Sequence, residues 1–343
     1  LLGLFRDRLL LSIFGASNTL GIYQYATQLP ETLFQLTIAA ALTSAFIPVF
    51  SDFLAKGKEE EAHKIASTLL TTALLIFLVL SIILSLFAPF FLTIFNLGGG
   101  FSPDQMQLMV NLMRIIIIGQ IFFIIGTFYT ALLQSYNHFF IPGIAGATYN
   151  LGIIIGIALF SPFLGIYAAP IGIVLGAVMF IIVQIPLVKK TGFSFLPSID
   201  YLFSDAIKKI VKLMGPRVIS IAILQLGTVA IASFISVLDN HGRMNLLYNL
   251  ARTLAFAPVM LFGQTIAQAA FPVLSREKDR LDEFKVTFIT SFNQMLYLVL
   301  PISAIILVLR IPIVRLVYGA DMFDWGATVL TGQILAYFSI SIF

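Results

Sequence analysis

The segment Ala45-Phe46-Ile47-Pro48-Val49-Phe50-Ser51 is answered later in the chain by Ala269-Ala270-Phe271-Pro272-Val273-Leu274-Ser275, with the prolines 224 positions apart. A charged loop follows each copy. Farther on, Phe77-Leu78-Val79-Leu80-Ser81 answers Tyr297-Leu298-Val299-Leu300-Pro301 at an offset of 220, and Pro89 with Phe95 answers Pro312 with Tyr318 at 223. Each match alone is weak. Three in order at nearly one offset mark an internal duplication.

Composition says what has been duplicated. Hydrophobic residues make up 59% of the 343 residues and charged residues 10%, with a mean hydropathy of +1.01. Soluble domains carry roughly 25% charged residues, so this chain cannot cover a globular surface and lipid must be its solvent. A spanning helix needs about 20 mostly apolar residues. Such runs fall at 1–15, 20–50, 66–96, 106–134, 141–161, 163–187, 210–238, 245–273, 288–318 and 327–343, the first and last incomplete. They are continuous and helix-length, without the alternation of outer-membrane strands. The predicted fold class is an all-α polytopic membrane protein. Six spans separate the repeat partners, an even number, so the repeats run parallel. Transporters commonly use this plan, with the substrate held between the halves near mid-membrane. The second half shows only four spans before Phe343, no signal peptide is visible, and both ends look cut; the sequence is therefore expected to be a piece of a longer protein.

Several functions are excluded. The chain has no cysteine, hence no disulfide, thiolate metal site or cysteine nucleophile. His63, His138 and His241 stand apart, so no bound metal is expected. Gly98-Gly99-Gly100 lacks the following GK[ST] of a phosphate-binding loop. No Ser/His/Asp grouping or intramembrane carboxylate pair supports catalysis, so the chain is not expected to be an enzyme. The formal charge of +4 reflects basic residues beside one membrane face, with no nucleic-acid partner.

Orientation follows from the loops. Lys56, Lys58, Lys64, Lys189, Lys190, Lys208, Lys209, Lys212, Arg276, Lys278, Arg280 and Lys285 fall on one side, whereas the opposite loops hold Arg243, with Arg310 and Arg315 near the end of the ninth span. The positive-inside rule puts the first group, and the N-terminus, in the cytoplasm. Ile199, Leu202, Phe203, Ile207 and Ile210 recur at roughly helical spacing among lysines, which predicts an amphipathic helix on the cytoplasmic leaflet. The organisation is then a first lobe at 1–190, an amphipathic linker at 191–209 and a second lobe at 210–343.

Charges within the spans are few: Arg6, Asp7, Arg8, Glu31, Arg114, Arg217 and Arg252. Each costs roughly 2.5–3.5 kcal/mol at mid-helix. Arginine's fixed fork can hold a diphosphate bidentately, so a cavity lined by these side chains would select an anionic headgroup. Arg6 and Arg8 can also snorkel to a helix end, and Arg217 can mark a helix start at the interface. Arg114 and Arg252 lie about 10 Å into their spans, too deep for simple anchors. Glu31, after Pro30, is a partner for one of them or sits protonated between helices. Gly152-x-x-x-Gly156 and Gly172-x-x-x-Gly176 allow close helix packing.

These ordered motifs resemble the MurJ/MviN family of lipid II flippases, within the multidrug/oligosaccharidyl-lipid/polysaccharide exporter superfamily. Gly3-Leu4-Phe5-Arg6-Asp7 resembles its first-helix GF-x-RD motif, followed by Phe14-Gly15-Ala16-Ser17. Leu29-Pro30 and Ala45-Phe46-Ile47-Pro48 match the second helix. Asn137-x-Phe139-x-Ile141-Pro142 with Asn150, Met214-Gly215-Pro216 with Gln225, Arg252, Phe271-Pro272-x-Leu274-Ser275, and Pro312 with Tyr318-Gly319 continue the series. The resemblance implies fourteen helices in two parallel six-helix lobes around a central cavity plus a C-terminal pair. It also implies alternating access and export of an undecaprenyl-diphosphate-linked disaccharide-pentapeptide across the bacterial plasma membrane. Arg6 and Arg252 would contact the diphosphate, with Asp7, Glu31, Arg114 and Arg217 as further cavity candidates. No cofactor is implied; a cation gradient or the membrane potential would supply the energy, and the protein would act as a monomer among membrane lipids. There are departures. The second-helix LPNLLRR pattern reads Leu29-Pro30-Glu31-Thr32-Leu33-Phe34-Gln35, a following acidic position holds Ala40 or a neighbour, the second-helix aspartate position holds Gly21, and the eighth-helix DR-x-x-E reads Ala251-Arg252-Thr253-Leu254-Ala255. Alternative readings are a flippase for another polyprenyl-diphosphate glycan, a cation-coupled drug antiporter of the same superfamily, or a non-transporting scaffold.

Overall fold

The computed structural model describes residues 2–39, 45–95, 97 and 100–341, and within these every regular element is helical. The Ala40 position and Gly98-Gly99 lie outside the described residues. The first half comprises α1 (Leu2–Phe14), α2 (Asn18–Phe34), α3 (Ile47–Ala55), α4 (Glu59–Leu86), α5 (Ala88–Ile94), α6 (Pro103–Ser135), α7 (Phe140–Leu164), α8 (Ala168–Ile182) and α9 (Ile185–Lys190). After it come α10 (Asp205–Ile235), α11 (His241–Pro258), α12 (Gln264–Glu277), α13 (Leu281–Val308), α14 (Arg310–Tyr318) and α15 (Trp325–Ile340). Each of the ten predicted spans falls on helix in the described residues. Six stretches are long and apolar enough to cross a membrane as continuous helix; one of them, Phe140–Lys190, holds the predicted fifth and sixth spans together.

The duplication is visible in the backbone. A π-helical turn at Gln35–Ala39 recurs at Val259–Gly263, an offset of 224. The starts of α2 and α11 are 223 apart, and those of α4 and α13, α5 and α14, and α6 and α15 are each 222 apart. Start signals recur as well. Ser102 caps α6 in a reciprocal capping box with Gln105, and Asp324 caps α15 by accepting from the Ala327 N–H at 2.8 Å. Such caps satisfy amides that a helix's first turn cannot pair internally.

Packing is closest in the α7–α8 hairpin. A Cβ on Gly152 would overlap the Gly176 backbone, and one on Gly156 would overlap Gly172. The two glycine pairs thus meet as the spacing predicted. Gln184, fully buried, donates to the carbonyls of Gly126 at 3.1 Å and Phe180 at 2.9 Å and accepts from Thr130 at 3.0 Å. It fastens the end of α8 to α6 with no polar atom left unpaired.

Two apolar clusters define the architecture. One joins the halves, with Leu20, Tyr25 and Met113 packed in the same cluster as Leu246, Leu250 and Tyr318. The other, at the lysine-rich end, contains Phe46, Phe50, Phe128 and Leu132 with Phe193, Ile207 and Ile210, and no residue beyond Met214. None of the residues of α12 is buried. The halves are therefore closed together at the end away from the lysines and share no core at the lysine-rich end.

The linker departs from expectation. Residues 193–199 are irregular, turns follow, and helix begins only at Asp205, where the Ser204 side chain accepts from the Ile207 N–H at 3.3 Å. The helical spacing of Ile207 and Ile210 belongs to the first turns of α10. Phe193 is buried, whereas Leu196, Ile199 and Phe203 are exposed. Pro197 lacks a backbone donor and disfavours helix at the residue before it, so no amphipathic helix forms over 191–209.

Candidate functional site

A cavity of about 640 Å³ lies between the halves, bordered by α1, α2, α6, α7 and α8 on one side and α10 and α11 on the other. Its polar face is set by helical spacing. Gln24, Gln28, Glu31 and Gln35 follow one another at intervals of four, three and four along α2 and its π turn, and Asn245, Asn249 and Arg252 repeat the first two intervals on α11. Residues so spaced share one helix face. Tyr23, Tyr149 and Tyr248 complete an aromatic and hydrogen-bonding wall.

Four of the predicted site residues, Arg6, Asp7, Glu31 and Arg252, border this one cavity. Arg6 is already engaged. Its Nη2 and Nε lie 2.8 and 3.0 Å from Asp7 Oδ1, and its Nη1 donates to Asn150 Oδ1 at 3.3 Å. Asn150 is itself oriented by donating to the Gly146 carbonyl at 3.0 Å, so Arg6 is held against α7. Arg252 differs. Among the described residues it has no hydrogen bond or ion pair, and its guanidinium carbon sits 5.9 Å from the centre of the Phe256 ring. That leaves all five donors of a partly buried cation facing a polar cavity. Glu31 has no ion pair within 4.0 Å among the described residues and is reachable from the cavity.

Arg114 and Arg217 do not reach the cavity. Arg114 is exposed and donates to the Ser85 carbonyl at 3.3 Å. It thus supplies a donor to the last turn of α4, whose carbonyls lack helical partners. Arg217 is exposed along α10 and borders no part of the cavity. Depth along a span measures cost, but the direction around the helix decides what a side chain meets. The carboxamides, by contrast, carry no charge and were passed over as candidates. Their four–three spacing on otherwise apolar helices was the available signal.

Beyond the cavity the halves are sealed by backbone. A Cβ on Gly21 would overlap the Gly242 carbonyl, and one on Gly242 would overlap Asn18. Asn249 donates to Gln24 at 3.2 Å, and the Tyr25 hydroxyl donates to the Ala232 carbonyl at 3.2 Å. All of these contacts cross between the halves.

A family model described as lipid II flippase MurJ matches residues 10–343. The chain belongs to the MurJ family. A MurJ relative from Buchnera aphidicola (subsp. Schizaphis graminum) is 27% identical over 99% of this chain and 66% of its own length. One from Thermotoga maritima is 26% identical over 99% and 67%. The chain thus spans about two thirds of these MurJ proteins. Among solved structures, a lipid II flippase MurJ in an inward closed conformation superposes with a TM-score of 0.81 at 24% identity, over 99% of this chain and 70% of that one. An inward-facing multidrug transporter of the MATE family superposes at 0.75 with 13% identity, over 99% and 76%. These two likenesses show the fold: a multi-pass bacterial membrane protein built as MurJ and MATE transporters are. MurJ is a family of transporters, as the expected absence of catalytic groupings required.

Proposed function

We propose that this chain carries the substrate-binding part of a flippase that moves lipid II, a diphosphate-linked glycan lipid, from the cytoplasmic to the outer leaflet by alternating access. The observation that carries the reading is Arg252: a guanidinium without protein partners, presented by one half into a polar cavity whose other half presents Arg6. A diphosphate entering there would take Arg252 as a bidentate donor and share Arg6 with Asp7. The carboxamides and tyrosines around the arginines suit the hydroxyls and amides of a glycan. The seal at Gly21 and Gly242, with no shared core at the lysine-rich end, supports a cavity reached from the lysine-rich side. The lysine bias puts that side, and the N-terminus, in the cytoplasm. The protein would work as a monomer without a cofactor, driven by membrane potential or a cation gradient.

Native mass spectrometry of the purified protein tests this, with lipid II, another undecaprenyl-diphosphate glycan and phosphatidylglycerol in competition. Hydrogen bonds to a charged group are worth about 1.5–3 kcal/mol, so Arg252→Ala should weaken lipid II binding by roughly 10- to 150-fold. Equal retention of all three lipids, unchanged by the substitution, would refute the reading.

A further inference from the structure

A second, apolar cavity lies at the lysine-rich end, away from the polar one. It is a crevice of about 110 Å³ between α4, α6 and the start of α10, roofed by the linker. Leu69 and Ile76 form its α4 wall, Ile207, Val211 and Met214 its α10 wall, and Leu202 its roof. The α10 residues recur at intervals of four and three, a single helix face. Ile76 is 49% and Val211 58% exposed, so the crevice meets the lipid-facing surface of the first half.

Charge is arranged around its mouth. Lys208 and Lys212 follow Ile207 and Val211 by one residue each, and Lys209 stands on the same turn. Lys189 and Lys190 end α9 nearby in the chain. Among the described residues, Lys208 is bridged to Asp205 at 3.5 Å, whereas Lys189, Lys190, Lys209 and Lys212 have no carboxylate within 4.0 Å. The linker beside the crevice exposes Leu196 and Phe203, 69% and 82% accessible. An apolar slot at the membrane surface, apolar side chains able to enter the interface and unpaired ammonium groups beside them match one chemistry: an acyl chain continuous with an anionic headgroup.

We propose that this crevice binds an anionic phospholipid of the inner leaflet, with an acyl chain between α4 and α10 and the headgroup on Lys209 and Lys212. The lipid would complete the packing of a linker that forms no helix of its own and would tie the first half to the start of the second. This site is independent of the flippase reading, because none of its residues borders the polar cavity.

Fluorescence quenching tests it. The sole tryptophan, Trp325, lies beyond α14, so a Trp325→Phe, Phe203→Trp protein reports from beside Leu202. It is reconstituted in phosphatidylcholine vesicles containing brominated phosphatidylglycerol or brominated phosphatidylcholine. Quenching should favour phosphatidylglycerol, by roughly fivefold in relative affinity for each lysine that reaches the headgroup, the equivalent of about 1 kcal/mol. Lys209→Gln with Lys212→Gln should abolish the preference. Ala73→Phe, which fills the slot and leaves every lysine in place, should reduce it. Equal quenching by the two lipids, or a preference that survives the lysine substitutions, overturns the proposal. A preference unchanged by Ala73→Phe also overturns it, because it would belong to a diffuse layer of anionic lipid rather than a seated molecule. Emission spectra in pure phosphatidylcholine, matched between variants, establish that each protein is folded.

Discussion

Gly21→Ala should unlatch the seal between the halves. Gly21 and Gly242 are both buried, and the first atom of any side chain at position 21 would fall on the Gly242 carbonyl. Backbone cannot rotate away as a side chain can, so α2 and α11 must separate for alanine to fit. Overpacking of this kind costs roughly 1–3 kcal/mol, charged to the sealed state alone. The population with the seal open should rise by about 5- to 150-fold. The absence of cysteine makes the assay direct: Asn245→Cys places a single thiol in the cavity wall. Its reaction with a membrane-impermeant maleimide, added in turn to each side of the membrane, measures access. Labelling from the side away from the lysine loops should accelerate in the Gly21→Ala background. It should be unchanged by Gly143→Ala, where a new Cβ meets nothing within 4 Å. Equal rates in Gly21→Ala and the parent protein would show that the glycine contact does not hold the halves closed.

Two further outcomes test the packing. Gly156→Leu drives a side chain into Gly172 and should lower the thermal unfolding midpoint in detergent, by an amount matching roughly 1–3 kcal/mol; Gly146→Leu, with open space around it, should leave it unchanged. Asp324→Ala removes the α15 cap and the partner of Arg243 at 2.8 Å, and should cost about 1 kcal/mol, nearly all from the cap, because so exposed an ion pair adds little. Burial acts to raise the Asp324 carboxyl, but the Ala327 N–H and the Arg243 guanidinium outweigh it and hold the group below its usual 3.8. Its contribution is therefore fully present above about pH 4 and lost as pH falls through the lowered value. Thermal midpoints of wild type and Asp324→Ala should converge in acid and differ at neutral pH; a constant difference would exclude the carboxylate as the cause.

Much of this fold was legible because lipid imposes a coarse rule: each span must be long, apolar and helical. The repeat was legible because Pro48 and Pro272 mark matching turns of the chain. The site was legible only in part. Arg6 and Arg252 stood out by the cost of burying a charge, but the same criterion selected Arg114, which faces outward onto a carbonyl of α4. Gln24, Gln28, Asn245 and Asn249 raised no such alarm, although they make most of the polar wall. The linker misled for a different reason. Its apolar spacing was real, but it ran across the Ser204 cap and combined residues of α10 with residues that Pro197 keeps out of helix.

The paired π turns carry a consequence for chain length. A π turn accommodates one residue more than an α turn, and each residue of helix advances the facing direction by about 100°. Shortening Gln35–Ala39 by one residue would convert it to ordinary helix and swing the rest of that arm, through Pro48 and Phe50, by more than a quarter of a circle. The partner arm, still carrying its own extra residue at Val259–Gly263, would not follow. Substitutions within these turns can be absorbed one at a time, but a one-residue change of length in either copy alone would put the two arms out of phase.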